Sequence, residues 1–138
     1  MHHGFTEIDV DVEDGFVVVT PDGAFNVEGV QEYEAQFVKK ISAFKGKIWG
    51  ILNVYDTYET GGPEVQDMVR KQFAWSCDHG CAYLGFVVVN PLHVYAAKVT
   101  TEGLENLKEM RIFKDHDEAY AWMKKMVAEA NAAKNESS

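Results

Sequence analysis

The chain has 138 residues, of which 46% are hydrophobic and 12% aromatic, and its formal net charge is −9. This length supports one domain with a substantial core and is too short for two ordinary domains. The negative charge argues against a nucleic-acid partner, because binding to a phosphate backbone depends on clustered Lys and Arg, which the sequence lacks.

No apolar run approaches the roughly 20 residues that span a bilayer, so membrane insertion is not expected. The first four residues lack the apolar segment of a signal peptide, and we therefore expect a cytoplasmic protein. Two cysteines are too few for a disulfide scaffold, which fits a reducing compartment.

The N-terminal segment predicts a β-hairpin. Residues 6–12 alternate aliphatic and acidic side chains, which is the period-two pattern of a strand with one solvated face. A turn signal at 13–15 precedes a β-branched run over 16–20, and we expect this second strand to pair with the first. The sequence Pro21–Gly23 should end it.

A helix and a central strand follow. Asn26 is placed to cap the helix, and Phe25 can pack against Val30 to fix its entry. The predicted buried stripe consists of Val30, Tyr33, Phe37, Ile41 and Phe44. Gly46 supplies a left-handed stop, and the almost continuous apolar run over 48–54 predicts a parallel strand that is covered on both faces.

The next helix begins near Pro63, since proline is favoured in a first helical turn. Its predicted inner side consists of Val65, Met68, Val69, Gln72, Phe73 and Cys77. Gly80 ends this helix, and residues 83–89 predict another buried strand. The region 92–101 mixes helical spacing of apolar residues with β-branched residues, and we predict a helix interrupted near Gly103.

The last unit has the clearest signals. Residues 110–113 predict a strand, and Asp115 with Glu118 three residues later forms an acidic variant of the capping box. Apolar residues then recur at helical spacing: Ala119, Trp122, Met123, Met126, Val127 and Ala130. Residues 131–138 contain no large apolar side chains and should fray, so we predict one domain over 1–130 and a tail over 131–138.

The predicted order is therefore β-β-α-β-α-β-α-β-α, whose alternation implies right-handed crossovers and a largely parallel sheet. Over roughly residues 5–127 this order resembles the SpoIIAA-like family, whose fold is shared with STAS domains (sulfate transporter and anti-sigma factor antagonist). The local pieces that carry the resemblance are Gly15–Gly23 before a capped helix, the strand 48–54, and Arg111–Phe113 followed by Asp117–Ala119 and Trp122–Met123.

The resemblance implies an α/β domain with a mixed five-stranded sheet and about four helices. It further implies a module that binds proteins or small ligands, with no cofactor and no substrate turnover. In the signalling branch, a Ser or Thr after an Asp near the second helix is phosphorylated, and the added charge controls docking. The matching stretch here is Asn53 to Gly62, where Thr57 follows Asp56 and Thr60 follows Glu59.

The same loop is favoured without the resemblance, because ligands of parallel α/β sheets bind beyond the carboxyl ends of the strands. Gly61 and Gly62 expose backbone donors beside a helix start. Nearby acidic residues would repel phosphate, and Gly-Gly before Pro is also an ordinary turn into a helix. The predicted binding residues are Asn53, Tyr55, Asp56, Thr57, Tyr58, Thr60, Gly61 and Gly62, and the phosphorylation candidates are Thr57 and Thr60.

A cluster of Cys77, Asp78, His79 and Cys81 contains side chains that zinc prefers. No second ligand set appears, so no metal is assigned, and a redox or metal role stays open beside two reduced, partly buried thiols. His93 and His116 show no acid partner in the sequence, and solvated or capping roles are expected.

We thus predict a non-catalytic regulatory module that binds a partner protein or a small apolar ligand at the loop after the third strand, with a homodimer as one expected assembly. Tyr55, Tyr58 and Trp75 would form an apolar patch there if they are exposed together. Two alternatives remain. One is a small enzyme that uses Asp56, Glu59, Cys77 or His79 in a cleft, and the other is a carrier of an apolar molecule between the sheet and the second and third helices.

Overall fold

The computed structural model describes residues 5–11, 14–24, 27–59 and 62–136. Its strands are β1 (Phe5–Asp11), β2 (Phe16–Ala24), β3 (Trp49–Tyr55), β4 (Thr57–Glu59), β5 (Cys81–Val88) and β6 (Glu109–Phe113). Its helices are α1 (Val27–Ile41), which runs into a short 3-10 turn (Ser42–Phe44), α2 (Pro63–Asp78), α3 (Pro91–Thr101) and α4 (His116–Glu136). The predicted alternation of strands and helices is confirmed.

The strands form one mixed sheet in the order β1-β2-β3-β5-β6. Strands β2, β3, β5 and β6 are parallel, and β1 pairs antiparallel with β2 as the predicted hairpin. The prediction of five strands is wrong, because four strands form the parallel sheet and β4 adds a short segment parallel to β2. Three residues are too few to display a period-two pattern, which is why β4 is invisible in the sequence.

The predicted end of β2 at Pro21–Gly23 is also wrong, since β2 continues to Ala24. Strand β3 pairs with β2 only as far as Val19, and β4 pairs with β2 from Asp22 onward. Pro21 lies in the interval between these two pairings, where a missing backbone donor is tolerated. After Asn53 the chain therefore stops pairing with β2, and it pairs with β2 again as β4.

Two apolar layers cover the sheet, as expected of parallel strands that are buried on both faces. Helices α1, α2 and α3 pack on one face, where Ile51, Leu84 and Phe86 point toward Phe37 and Phe73. Helix α4 covers the other face, which the alternating side chains of the same strands form: Phe16, Leu52, Val54, Tyr83, Val87 and Phe113. Strands β3 and β5 are buried along their whole length, as predicted.

The close approach of α4 depends on a strand glycine. A Cβ at Gly50 would overlap Met123 Sδ and stand 3.1 Å from the Tyr83 carbonyl oxygen. Met123 is fully buried on the α4 side of the sheet. The absence of a side chain at position 50 therefore sets how near α4 lies to β3 and β5.

Helix starts agree with the predicted signals where they are described. Asp115 Oδ1 accepts a hydrogen bond from the Asp117 N–H at 3.1 Å, and Pro63 is the first residue of α2. Asn90 caps α3 by accepting from the His93 N–H at 3.0 Å, and α3 ends before Gly103, whose φ is +71°. The predicted contributions of Phe25 and Asn26 lie outside the described residues.

Helix α4 continues past Ala130 to Glu136, into the segment predicted as a tail. Asn131 joins its last turns to the chain before β3: Oδ1 accepts from the Ile48 N–H at 3.0 Å, and Nδ2 donates to the Ile48 carbonyl at 2.9 Å. The Lys134 ammonium donates to the Gly46 carbonyl at 2.7 Å. Polar contacts with a distant loop thus extend the helix where apolar side chains run out.

Candidate functional site

Two residues of the predicted binding loop are core residues instead. Asn53 is 2% exposed, and its amide donates to the Gly85 carbonyl on β5 at 3.2 Å. Tyr55 is 5% exposed, and its ring packs 5.6 Å from that of Phe86. The structure thus places Asn53 and Tyr55 in the core, because β3 is central and buried on both faces up to its last residue.

The rest of the predicted loop is only partly described. Asp56 is an exposed bend between β3 and β4, and Thr57 and Tyr58 lie in β4, whose backbone pairs with β2. Thr60 and Gly61 lie outside the described residues. Gly62 is the exposed residue before α2 and adopts an extended conformation. The backbone from Thr57 to Glu59 is therefore held against β2 rather than looped freely.

The two histidines for which the sequence shows no acid partner have different surroundings: His116 is exposed at a helix start, as expected, whereas His93 is buried. His116, the first residue of α4, contacts Asp56 with 2.9 Å between Nε2 and Oδ2. This exposed pair joins the carboxyl end of β3 to the start of α4, sixty residues apart. His93 is 3% exposed instead of solvated, and its ring lies 5.8 Å from the Tyr55 ring.

Helix α3 presents an unusual distribution of side chains. Its buried face consists of small or polar residues, namely His93, Ala96, Ala97, Thr100 and Thr101. The Thr100 and Thr101 hydroxyls donate to the carbonyls of Ala96 and Ala97 at 2.7 and 2.8 Å. The two threonine hydroxyls are thereby satisfied within the helix, and Leu92 and Tyr95 are left to the other face.

That outer face, together with the end of β5, forms what we call the α3 surface. Val89 is 61% exposed, Leu92 58% and Tyr95 60%, and Val99 follows Leu92 at helical spacing and is partly exposed. The sequence spacing of Leu92, Tyr95 and Val99 is also compatible with a buried stripe, so the sequence does not predict the α3 surface. The signal was the pair of small residues at 96 and 97, which mark the side of a helix that packs closely.

A groove of about 720 Å³ lies between α2 and the α3 surface. Tyr95 and Val99 of α3 line it together with Pro63, Gln66 and Arg70 of α2. The Arg70 guanidinium donates to the Glu102 carbonyl at 2.5 Å, which ties the end of α3 to α2. Because Pro63 directly follows Gly62, the groove adjoins the end of the predicted binding loop.

The two cysteines lie in the core as free thiols, 5% and 1% exposed. The Cys77 and Cys81 thiols lie within hydrogen-bond reach of each other, and Cys81 Sγ donates to the Tyr83 carbonyl at 3.5 Å. Burial raises the pKa of the Cys81 thiol well above its usual range. Nearby, the His79 ring stacks on the Trp75 ring with centroids 4.1 Å apart. The His79 backbone carbonyl accepts a hydrogen bond from Trp49 Nε1 at 2.9 Å.

The residues of the predicted enzyme site do not come together. Asp56 follows the carboxyl end of β3, whereas Cys81 pairs with Trp49 at the amino end of the same strand. A seven-residue strand separates these ends by roughly 20 Å, so the acidic loop and the Cys-His cluster occupy opposite edges of the sheet.

The space proposed for an apolar cargo contains packed core rings, and the ring centroids of Phe73 and Phe86 are 5.9 Å apart. The apolar patch that would consist of Tyr55, Tyr58 and Trp75 requires all three to be exposed, but only Trp75 is exposed and Tyr55 is buried among the described side chains.

Within the described ranges, no three His, Cys, Asp or Glu side chains are grouped so that they could hold a metal ion. Nor does any helix of the described part combine the length and apolarity needed to cross a bilayer.

Comparisons with known proteins identify the fold. No protein-family model matches the sequence, and no curated protein shows a significant match. The structure is similar to that of an uncharacterized DUF3478-family protein with a SpoIIAA-like fold from Shewanella loihica PV-4, with a TM-score of 0.67 and 13% identity over 89% of this chain and 95% of that one. It is also similar to an anti-sigma factor antagonist from Mycobacterium paratuberculosis, with a TM-score of 0.56 and 11% identity over 88% of this chain and 94% of that one. The chain has a SpoIIAA-like α/β fold, as the sequence predicts.

Proposed function

We propose that this protein is a non-catalytic regulatory module that binds a partner protein through the α3 surface and the adjoining start of α2. The observation that carries the proposal is the side-chain distribution of α3, which buries alanine and threonine and exposes Leu92 and Tyr95. Contiguous exposed apolar side chains on a small domain mark interaction surfaces, and tyrosine is enriched in them.

Two further observations support this assignment. A structural neighbour is an anti-sigma factor antagonist, a protein defined by its action on another protein. The groove between α2 and α3 also meets the end of the loop that sequence reasoning favoured, at Pro63. A partner that covers Tyr95 and Val99 would therefore also reach Pro63 at the start of α2.

Capture experiments with matched surface variants test the proposal. The wild-type chain, the double variant Leu92→Ser/Tyr95→Ser and the control Val38→Ser are immobilised and exposed to lysate of the producing cells. Val38 is an exposed apolar residue of α1, which lies elsewhere on the surface. We expect wild type and Val38→Ser to retain the same proteins, and the double variant to retain at least tenfold less.

Equal capture by all three forms would refute the α3 surface as the docking site. Sedimentation of the same variants separates a foreign partner from a second copy of this chain. A homodimer that dissociates in the double variant would identify the occupant of the α3 surface as the chain itself.

Regulation by phosphorylation belongs to the same proposal. Thr57 and Thr60 lie in a segment that already contains Asp56 and Glu59, and a phosphate would add about −1.5 to −2 charge to it. We expect Thr57→Glu or Thr60→Glu to weaken capture by repulsion, while the corresponding alanine variants keep it. Intact-mass measurement of protein from its native cells should show a gain of one phosphate that Thr57→Ala or Thr60→Ala removes.

A further inference from the structure

A second, smaller groove lies on the opposite side of α2 from the α3 surface, between α1 and α2. Its volume is about 290 Å³, close to the lower end of the range of small-molecule sites. It is lined by Glu34, Phe37 and Val38 of α1 and by Lys71, Gln72 and Trp75 of α2. We call it the α1–α2 groove.

The polar centre of this groove is Gln72, which is 7% exposed. Its Nε2 donates to Ser76 Oγ at 3.1 Å, and the Ser76 hydroxyl in turn donates to the Gln72 carbonyl at 2.9 Å. The side-chain oxygen Oε1 is buried and accepts no hydrogen bond. A buried oxygen without a donor is unfavourable, so a donor from outside the chain would stabilise it.

The walls of the groove are apolar and partly accessible. Phe37 is fully buried and forms the inner wall, whereas Val38 is 49% exposed and Trp75 37%. The Trp75 ring stacks on His79 at its other side. Gln72 Oε1 itself lies beneath the surface, so a donor from outside reaches it only after a local rearrangement of the side chains that line the groove.

The charged residues at the rim favour a neutral occupant. The Lys71 ammonium is paired with Asp67 at 3.0 Å, and both side chains are well exposed. Glu34 contributes a carboxylate, which repels an anionic occupant when it is ionised, and partial burial raises its pKa and so disfavours a charged state further. The groove is also too small for a helix, which is about 10 Å wide with its side chains.

We propose that the α1–α2 groove binds a small neutral aromatic molecule with one N–H or O–H donor, whose ring lies between Val38 and Trp75 and whose donor bonds to Gln72 Oε1. This site is independent of the α3 surface. Its ligand is defined by a flat apolar body and a single donor, which match the two exposed walls and the buried acceptor Gln72 Oε1.

Indole and 1-methylindole form a matched pair of probes, because methylation removes the N–H donor and leaves the ring. Both are titrated into the full chain labelled with nitrogen-15, and the Gln72 side-chain amide and the Trp75 indole N–H are followed by NMR. We expect saturable shifts of these two signals and about tenfold tighter binding of indole than of 1-methylindole.

The variant Gln72→Leu keeps the size of the side chain and removes the acceptor, so it should bind both probes equally. Gln36→Leu, an exposed position on α1, is the matched control and should retain the preference for indole. Equal binding of the two probes to the wild-type chain, or shifts that spare Gln72 and Trp75, would overturn the proposal. Should Gln72→Leu fail to fold, the probe pair on the wild-type chain still decides.

Discussion

At the scale of single residues, burial decides what Cys81 can do. Its thiol is 1% exposed, lies within hydrogen-bond reach of Cys77 and donates to the Tyr83 carbonyl. The thiolate would be desolvated there, which raises the pKa of Cys81 in the folded state. In the unfolded chain the same thiol loses its proton near its ordinary pKa of about 8.5.

The consequence is a loss of stability at alkaline pH. Above about pH 8.5 the unfolded state releases the Cys81 proton and the folded state keeps it, so the free energy of unfolding falls by up to about 1.4 kcal/mol per pH unit. Urea unfolding at pH 7 to 10 should show this slope in wild type and in Cys77→Ala, and a flatter one in Cys81→Ala. Parallel slopes in wild type and Cys81→Ala would contradict it.

Burial also distinguishes Asn53, Tyr55 and His93 from their local sequence context. Each is polar or amphipathic and stands beside a predicted loop or turn, so the sequence suggests an exposed role. In the structure Asn53 finds the Gly85 carbonyl across the sheet, and Tyr55 and His93 pack on each other. Partners thirty or more residues away supply the contacts that make burial favourable, and no local pattern announces them.

At the scale of elements, α3 has the most consequential arrangement. A helix normally buries its large apolar residues, but this one packs Ala96 and Ala97 against its neighbours and leaves Leu92 and Tyr95 outside. The local sequence predicts the helix and its end near Gly103. The direction in which it faces follows from the space that the neighbouring elements leave for it.

This arrangement reverses the usual effects of substitution. Ala97→Leu should destabilise the fold by about 1–3 kcal/mol, because added methylenes have no room in a packed interface. Leu92→Ser should change stability by no more than about 0.5 kcal/mol, because the side chain is exposed. Chemical unfolding of both variants beside wild type measures the two values, and a larger loss for Leu92→Ser would show that α3 faces the other way.

The last turns of α4 are held by polar contacts rather than by apolar burial. Asn131 contributes three hydrogen bonds, to both backbone groups of Ile48 and to the Val127 carbonyl. Asn131→Ala should therefore lower the free energy of unfolding by about 1–3 kcal/mol, since it leaves partly buried groups of Ile48 without partners. Lys125→Ala, on an exposed position of the same helix, serves as the control in thermal unfolding. Equal melting temperatures for the two variants would argue that the contacts are unimportant.

At the scale of the whole molecule, the formal charge of −9 opposes compaction. The described ion pairs Lys71–Asp67 and Lys124–Asp14 involve exposed lysines, and such pairs contribute little. General repulsion among the acidic residues should therefore outweigh local attraction in the response of stability to salt.

Added sodium chloride is thus expected to raise the melting temperature. Between about 0.01 M and 0.1 M the screening length falls from about 30 Å to about 10 Å, which shortens the reach of the repulsion. The double variant Glu32→Gln/Glu129→Gln, which lowers the magnitude of the net charge by two, should gain less. A melting temperature that falls as salt rises would instead indicate that ion pairs dominate.

Local sequence patterns predict most of the strands and helices, their order and several helix starts, but neither β4 nor the continuation of β2 to Ala24. Those features depend on local physics: the period of apolar residues, the Asp115 cap, and proline at the first position of α2. The SpoIIAA-like fold follows from that order.

Only the tertiary structure decided where a functional site can lie. It buried Asn53 and Tyr55, joined Asp56 to His116, turned Leu92 and Tyr95 outward, and left Gln72 Oε1 without a donor. Each of these outcomes depends on groups that are distant in the chain and adjacent in space. Local periodicity carries no information about such neighbours, whereas packing and hydrogen bonding between elements are determined by them.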